Sequence, residues 1–227
     1  MDASDRDRTW ELLKLLFQAH PWHGIEPGPE VPRVVTAYIE IVPTDTVKYE
    51  IDKPSGHLKV DRPQKYSNVC PTLYGFIPQT FCGEAVAAFA RSHSGQEVVD
   101  GDGDPMDICL LTEKTFTHGA FLAQAVPLGG FRLLDHREAD DKIIAVLKGD
   151  AAFGHCKEIS DLPEALVERL KHYFLTYKRP PGAPDGVVEI SQVYGRTEAY
   201  EVIERSREDY RARYPDLKAE ILEVLGR

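Results

Sequence analysis

The chain has 227 residues, 42% hydrophobic and 28% charged, enough to bury a full core as one domain with appendages or as two small domains. Its 27 Lys and Arg against 37 Asp and Glu leave a net charge of −10, which argues against a protein that holds a polyanion by simple charge attraction, though not against a small anion contacted through divalent ions. No apolar run is long enough to span a bilayer, and the start "MDASDRDRTWELLKLLFQAH" lacks the marks of a secretory signal, so a cytoplasmic protein with no membrane partner is expected.

Taken in chain order, Asp5 to Ala19 reads as an amphipathic helix with Trp10, Leu13 and Phe17 on one stripe, ended by Pro21. "HGIEPGPEVPR" is a connector, and from Val34 onward short β-rich segments follow: "VVTAYIEIV", "VKYEI", "HLKV", "LYGFI", "DICLL", "FLAQAVPL", "FRLL" and "KIIAVL". Turn signals such as "KPSG" and "PLGG" separate them, which predicts a closed or nearly closed antiparallel barrel. "CGEAVAAFARSHSGQEVVDG" reads as an insertion with a short helix. "SDLPEALVERLKHYFLTYK" reads as a helix capped by Ser160 or Asp161 with Pro163 in its first turn, and Thr197 to Arg213 as a second, highly charged helix. The fold class is therefore mainly β, with flanking helices.

Cys70, Cys82, Cys109 and Cys156 show no CxxC pairing and no His at finger spacing, so they read as reduced, packed thiols rather than a structural zinc site. The more telling stretch is "VVDGDGDPMDICLL", which places Asp100, Asp102, Asp104 and Asp107 immediately before an apolar strand. An EF-hand fails in either frame: counting from Asp100 puts Pro105 where the turn needs Gly, and counting from Asp102 puts Asp107 there. A solvated acidic turn is the bland alternative. It is weakened because Asp107 runs directly into "ICLL", where an unpaired charge is costly. If Asp102 and Asp104 share one side of an extended segment and Pro105 turns Asp107 towards them, three hard oxygen donors converge on a site suited to Mg²⁺. "LLDHREADDKIIAVL" repeats the theme with Asp135, Asp140 and Asp141 before another strand and Lys142 on the strand face of Asp140. Strand alternation also puts Lys48 with Glu50, and Tyr38 with Glu40, on common faces.

With these residues in view, the sequence resembles the soluble inorganic pyrophosphatases that use magnesium and an OB-like barrel. "DGDPMD" fits that family's D-x-D-P-x-D signature, and "YIEI", "VKYEIDKPSGHLKVDR", "LYGFIP", "EADDKIIAV" and "HYFLTYK" follow its order from about Val34 to about Glu204. The resemblance implies an OB-like closed antiparallel barrel with C-terminal helices in a catalytic domain over 34–227; the helix and connector over 1–33 read as an added element that the compact bacterial form lacks in this length. It implies hydrolysis of pyrophosphate to two phosphates by a metal-bridging water or hydroxide, and several Mg²⁺ per site. Asp102, Asp107, Asp135 and Asp140 would ligate metal, with Glu40 and Glu50 in the metal and water network. Asp104 would be the general base and Tyr74 a further catalytic side chain. Lys48, Arg62, Tyr74, Lys142, Tyr177 and Lys178 would hold the substrate.

The chain departs from many bacterial members at Cys70, where they carry Tyr, and at Leu73, where they carry Asn. The stretch between Phe81 and Val99 is longer than in the compact bacterial form. A homo-oligomer is expected, with hexamer, dimer and monomer all open. Two other readings stand beside this one: a different Mg²⁺-dependent phosphohydrolase, and a non-catalytic barrel that binds metal or phosphate. Nucleic acid is disfavoured by the charge of −10 and by the lack of a basic strand face interleaved with aromatics.

Overall fold

The computed structural model describes residues 19–95, 98, 100–178, 182 and 188–215. The helix expected from Asp5 lies outside them except for Ala19. Nine strands are described: β1 (Val35–Ile41), β2 (Val47–Ile51), β3 (Leu58–Pro63), β4 (Leu73–Phe76), β5 (Asp107–Leu111), β6 (Phe121–Asp135), β7 (Glu138–Ala139), β8 (Lys142–Leu147) and β9 (Val188–Gly195). Three α-helices accompany them: α1 (Glu84–Ser94), α2 (Glu164–Thr176) and α3 (Arg196–Arg213).

Strand pairing closes a ring, since β1 pairs with β4, β4 with β5, β5 with β8, β8 with β6, and β6 again with β1. The ring is not wholly antiparallel as expected, because β5 and β8 run parallel. That one pair places Asp107 beside Lys142. β2 and β3 form a separate hairpin, and β7 and β9 add to β6.

Two expectations are corrected along β6. "PLGG" does not separate two strands: the chain continues through it with only a register shift between Pro127 and Gly129. The reason is close approach rather than turning. A Cβ on Gly129 would lie 2.3 Å from the Tyr194 carbonyl oxygen, and one on Gly130 would lie 2.5 Å from the Tyr194 ring. The glycines let β9 cross, and β9 itself, "VEISQVYG", went unread in the sequence.

β1, β5 and β8 are buried on both faces, with the alternation that strand geometry imposes. Ile143 and Ala145 pack in a cluster with Val86 and Ala90 of α1 and Val202 and Ile203 of α3. Ile144 and Val146 pack in another with Leu170 and Phe174 of α2. Full burial of side chains such as Leu170 and Phe174 contributes about 1.5–3 kcal/mol each.

The helix ends are capped across the fold. Asp209 of α3 accepts hydrogen bonds from the amides of Gly83, Ala85 and Val86 at 2.9–3.0 Å and so caps α1. Glu158 does the same for the Arg196 amide at 2.8 Å. Neither Ser160 nor Asp161 caps α2, whose N-terminal boundary residue is Pro163. The Asp161 carboxylate instead accepts from the amides of Lys157 and Glu158 around a short 3-10 turn.

Candidate active site

The barrel wall, the β2–β3 hairpin and the Asp102–Asp107 loop meet at a cleft of about 560 Å³, lined among others by Glu40, Lys48, Glu50, Lys53, Lys59, Tyr74, Asp104 and Asp107. The hairpin register sets its basic wall. Lys48 lies opposite Arg62, and its ammonium meets Glu50 and Asp61, each at 3.1 Å. Burial opposes the charge on Lys48, but those two carboxylates outweigh it and raise its pKa. Arg62 pairs with Asp61 and sits 5.9 Å from the ring centroid of Tyr177.

The aspartate loop is a turn rather than an extended segment. Gly103 takes a positive φ of 73°, and the Asp104 amide donates to the Asp102 carboxylate at 2.9 Å, so Asp102 and Asp104 do not share a strand side. The loop is held against the barrel by a hydrogen bond from the Asp102 amide to the Ala139 carbonyl at 3.3 Å and from the Cys82 amide to the Asp104 carbonyl at 2.8 Å. Asp140 is thereby brought within hydrogen-bonding reach of Asp102. Burial and then the Asp140 carboxylate push Asp102 well above the ordinary carboxylate range.

Lys142 is 2% exposed, and its ammonium donates to both Asp107 and Asp140. Burial lowers its proton affinity, but these carboxylates reverse the effect and hold it well above normal. The Tyr74 hydroxyl donates to Asp107. Glu40, 6% exposed, accepts the Ile51 amide at 2.6 Å; burial first and the Asp107 charge second push it up to about 8.

Asp135 belongs to a neighbouring group, paired with Lys178 and with His136; burial opposes ionisation there, and the Lys178 contact still lowers the pKa. Tyr177, raised by burial, feels both Lys142 and Lys178 and so links the two groups.

The expected residues thus come together in linked clusters: Glu40, Lys48, Glu50, Tyr74, Asp104 and Asp107 around the cleft, Asp102 and Asp140 beside Lys142, and Asp135, Lys178, Tyr177 and Arg62 along one flank. As they stand, no three His, Cys, Asp or Glu side chains among the described residues converge tightly enough to cage an ion; the Lys142 ammonium lies between Asp107 and Asp140. The donor set nonetheless fits a hard divalent cation. It consists of carboxylate oxygens; burial first, and then the Asp140 charge on Asp102 and the Asp107 charge on Asp140, raise both carboxyls, and a divalent ion would relieve that crowding of like charge.

Several site residues went unread in the sequence. Asp52 and Lys59 line the cleft; Asp52 continues the alternation of Lys48 and Glu50, a signal that was present. Lys53 also lines it and pairs with Asp104. Asp141, read in the sequence beside Asp135 and Asp140, is instead buried behind Asp140 with the unread Arg132, whose guanidinium lies 2.9 Å from Glu198 and 3.7 Å from Asp141, and the Tyr194 hydroxyl donates to Asp141 at 3.0 Å. The thiols match their expected reading: all four cysteines are free and buried, and burial pushes Cys70 up to about 11.

A barrel cleft that sets five carboxylates against three ammonium groups and a tyrosine fits a small anion held together with divalent cations. The comparisons make that class particular. The family model described as inorganic pyrophosphatase matches residues 37–211. An inorganic pyrophosphatase of Chlamydia trachomatis is 50% identical over 85% of this chain and 94% of its own length. A soluble inorganic pyrophosphatase of Zea mays is 37% identical over 74% and 70%. Among solved structures, the inorganic pyrophosphatase of Thermus thermophilus aligns with a TM-score of 0.70 at 26% identity, covering 86% of this chain and 99% of the other. That of Neisseria gonorrhoeae aligns with a TM-score of 0.68 at 28% identity over 82% and 96%. The chain belongs to the inorganic pyrophosphatase family, whose activity is the hydrolysis of pyrophosphate and whose members require a divalent metal ion. No helix among the described residues is long and apolar enough to cross a membrane.

Proposed function

We propose that this chain hydrolyses pyrophosphate by in-line attack of water, with Asp104 as general base and Mg²⁺ as the divalent ion. The observation that carries this reading is the shared cleft, where Asp104 lies among Lys48, Lys53, Lys59 and Tyr74 and adjoins the Asp102, Asp107, Asp140 and Lys142 cluster. Asp102, Asp107, Asp135 and Asp140 would hold the metal ions, several per site, with Glu40 and Glu50 in the surrounding water network. Bound there, Mg²⁺ supplies charge neutralisation and a more acidic water.

The chain's own groups do the rest. The Asp104 carboxylate takes the proton as the water oxygen bonds to one phosphorus and the bridging P–O bond breaks, releasing two phosphates. Lys48, Arg62, Lys142 and Lys178 offset negative charge on the phosphoryl oxygens, and the Tyr74 and Tyr177 hydroxyls orient them. Tyr74 already donates to Asp107, so it also fixes that carboxylate. Homo-oligomeric assembly and a cytoplasmic location belong to the same reading; the family resemblance supports the first, and sedimentation velocity would measure it.

The test is phosphate release from pyrophosphate, ATP and a phosphate monoester, with Mg²⁺ and with chelator, for the wild type and Asp104→Asn. The expected result is preferential, Mg²⁺-dependent pyrophosphate hydrolysis, with kcat falling about 10²-fold or more in Asp104→Asn. Full activity in that variant would remove Asp104 as base. Equal turnover of ATP would favour a broader phosphohydrolase.

A further inference from the structure

We propose that Lys53 is a further pyrophosphate-binding residue of this site, and that the segment preceding the barrel, through His20 and Trp22, positions it. The proposal rests on the active-site reading above.

Three ammonium groups line the cleft. Lys48 is tied to Glu50 and Asp61 at 3.1 Å, and Lys59 lies 3.5 Å from Glu50 and from Asp52. Lys53 differs from both. Among the described residues its ammonium pairs with one carboxylate, Asp104, and otherwise reaches the Gly103 carbonyl at 3.5 Å. Its side chain is 53% exposed.

While the head of Lys53 is accessible, its base is fixed. The turn that carries it is closed by the Gly56 amide donating to the Asp52 carbonyl at 2.8 Å. Gly56 sits at φ +72°, and a Cβ there would come within 2.8 Å of the His20 ring, so the turn is seated against His20. The His20 ring nitrogen Nε2 hydrogen-bonds the Lys53 carbonyl oxygen at 2.9 Å. The Lys53 ammonium lies 5.9 Å from the centroid of the Trp22 ring. Trp22 is itself 2% exposed and anchored by its indole N–H to the Thr80 carbonyl at 2.7 Å.

A long cationic side chain with a pinned backbone and an open head can exchange partners without moving the fold. In the free protein it rests on Asp104. A substrate bearing several negative charges attracts it more strongly than one carboxylate does, so the ammonium transfers to a phosphoryl oxygen and leaves Asp104 facing the attacking water. The Trp22 ring, which lines an adjoining hollow with Lys53 and Gly103, favours a cation at that edge of the cleft.

The experiment compares wild type, Lys53→Gln, Lys53→Arg and Trp22→Phe at saturating Mg²⁺, measuring kcat and KM for pyrophosphate alongside melting temperature. Lys53→Gln should raise KM about tenfold with kcat within about threefold of wild type. Lys53→Arg should recover most of that loss, and Trp22→Phe should raise KM about two- to threefold. An unchanged KM in Lys53→Gln would overturn the proposal, as would a kcat loss at constant KM, since that would confine Lys53 to its contact with Asp104. A kinetic loss in Lys53→Gln that tracks a lowered melting temperature and is not rescued by Lys53→Arg would also overturn it. Failure of the wild type to release phosphate from pyrophosphate would instead strike the parent reading.

Discussion

Gly75→Ala isolates how strictly the barrel positions the site. Gly75 pairs with Ile39 across β1 and β4, and a Cβ built there would lie 1.9 Å from the Tyr38 carbonyl oxygen and 2.8 Å from its carbon. Both are backbone atoms, so no side chain can rotate away. A carbon and a carbonyl oxygen touch at about 3.3 Å, so the strands must part by roughly 1.4 Å, beyond what a hydrogen-bonded pair tolerates. Losing one or two buried ladder bonds, with their groups left unpaired, costs about 3–5 kcal/mol. In a chain of this size that is a fall in melting temperature of roughly 10 °C.

The damage should reach chemistry as well. Tyr74 and Phe76 flank Gly75, and Phe76 pairs with Asp107 on β5, so activity per folded molecule should drop by about tenfold or more. Gly95→Ala is the companion. Gly95 lies at φ +65°, and a Cβ there would meet nothing within 4 Å, so left-handed strain alone costs about 1–2 kcal/mol, with kcat unchanged. Differential scanning calorimetry and initial rates measure both. A Gly75→Ala protein that melts and turns over like Gly95→Ala would refute the close-approach reasoning.

Two further outcomes follow from the charges. Burial, and then the neighbouring His20, depress His23 to about 4, and its ring nitrogen Nδ1 hydrogen-bonds the Tyr210 hydroxyl at 2.8 Å. With the folded value below the unfolded value of about 6.5, the unfolded chain binds the extra proton, so stability falls as pH drops through that window. After allowance for partial exposure, the stability advantage of wild type over His23→Gln in urea should shrink by about 1–2 kcal/mol between pH 7 and pH 4.5; parallel pH curves would contradict it. Mg²⁺ should raise the melting temperature by relieving the crowding of Asp102, Asp107 and Asp140, and Asp107→Asn should weaken that response. Superimposable melts with metal and with chelator would count against the carboxylate cluster as its binding place.

Much of this protein was legible where the signal is local. "VKYEI" and "DICLL" became strands of the same extent, because alternation is encoded residue by residue. Lys48 and Glu50 met on one face, as spacing two apart requires. "PLGG" was misread because glycine marks both turns and close backbone approach, and only the position of Tyr194 distinguishes them. Asp102 and Asp104 were misjudged because the chain bends at Gly103, which takes a positive φ, instead of running extended between them.

The sequence by itself determined which chemical groups are present and which short segments carry them, since propensity, alternation and turn chemistry act over a few residues. Tertiary structure alone decided that Lys142 enters between Asp107 and Asp140, a consequence of β5 and β8 lying parallel in register, that Asp209 caps a helix far earlier in the chain, and that Trp22 and His20 reach the cleft through Lys53. These juxtapositions depend on strand register and core packing summed over the whole barrel, which no local stretch of residues specifies.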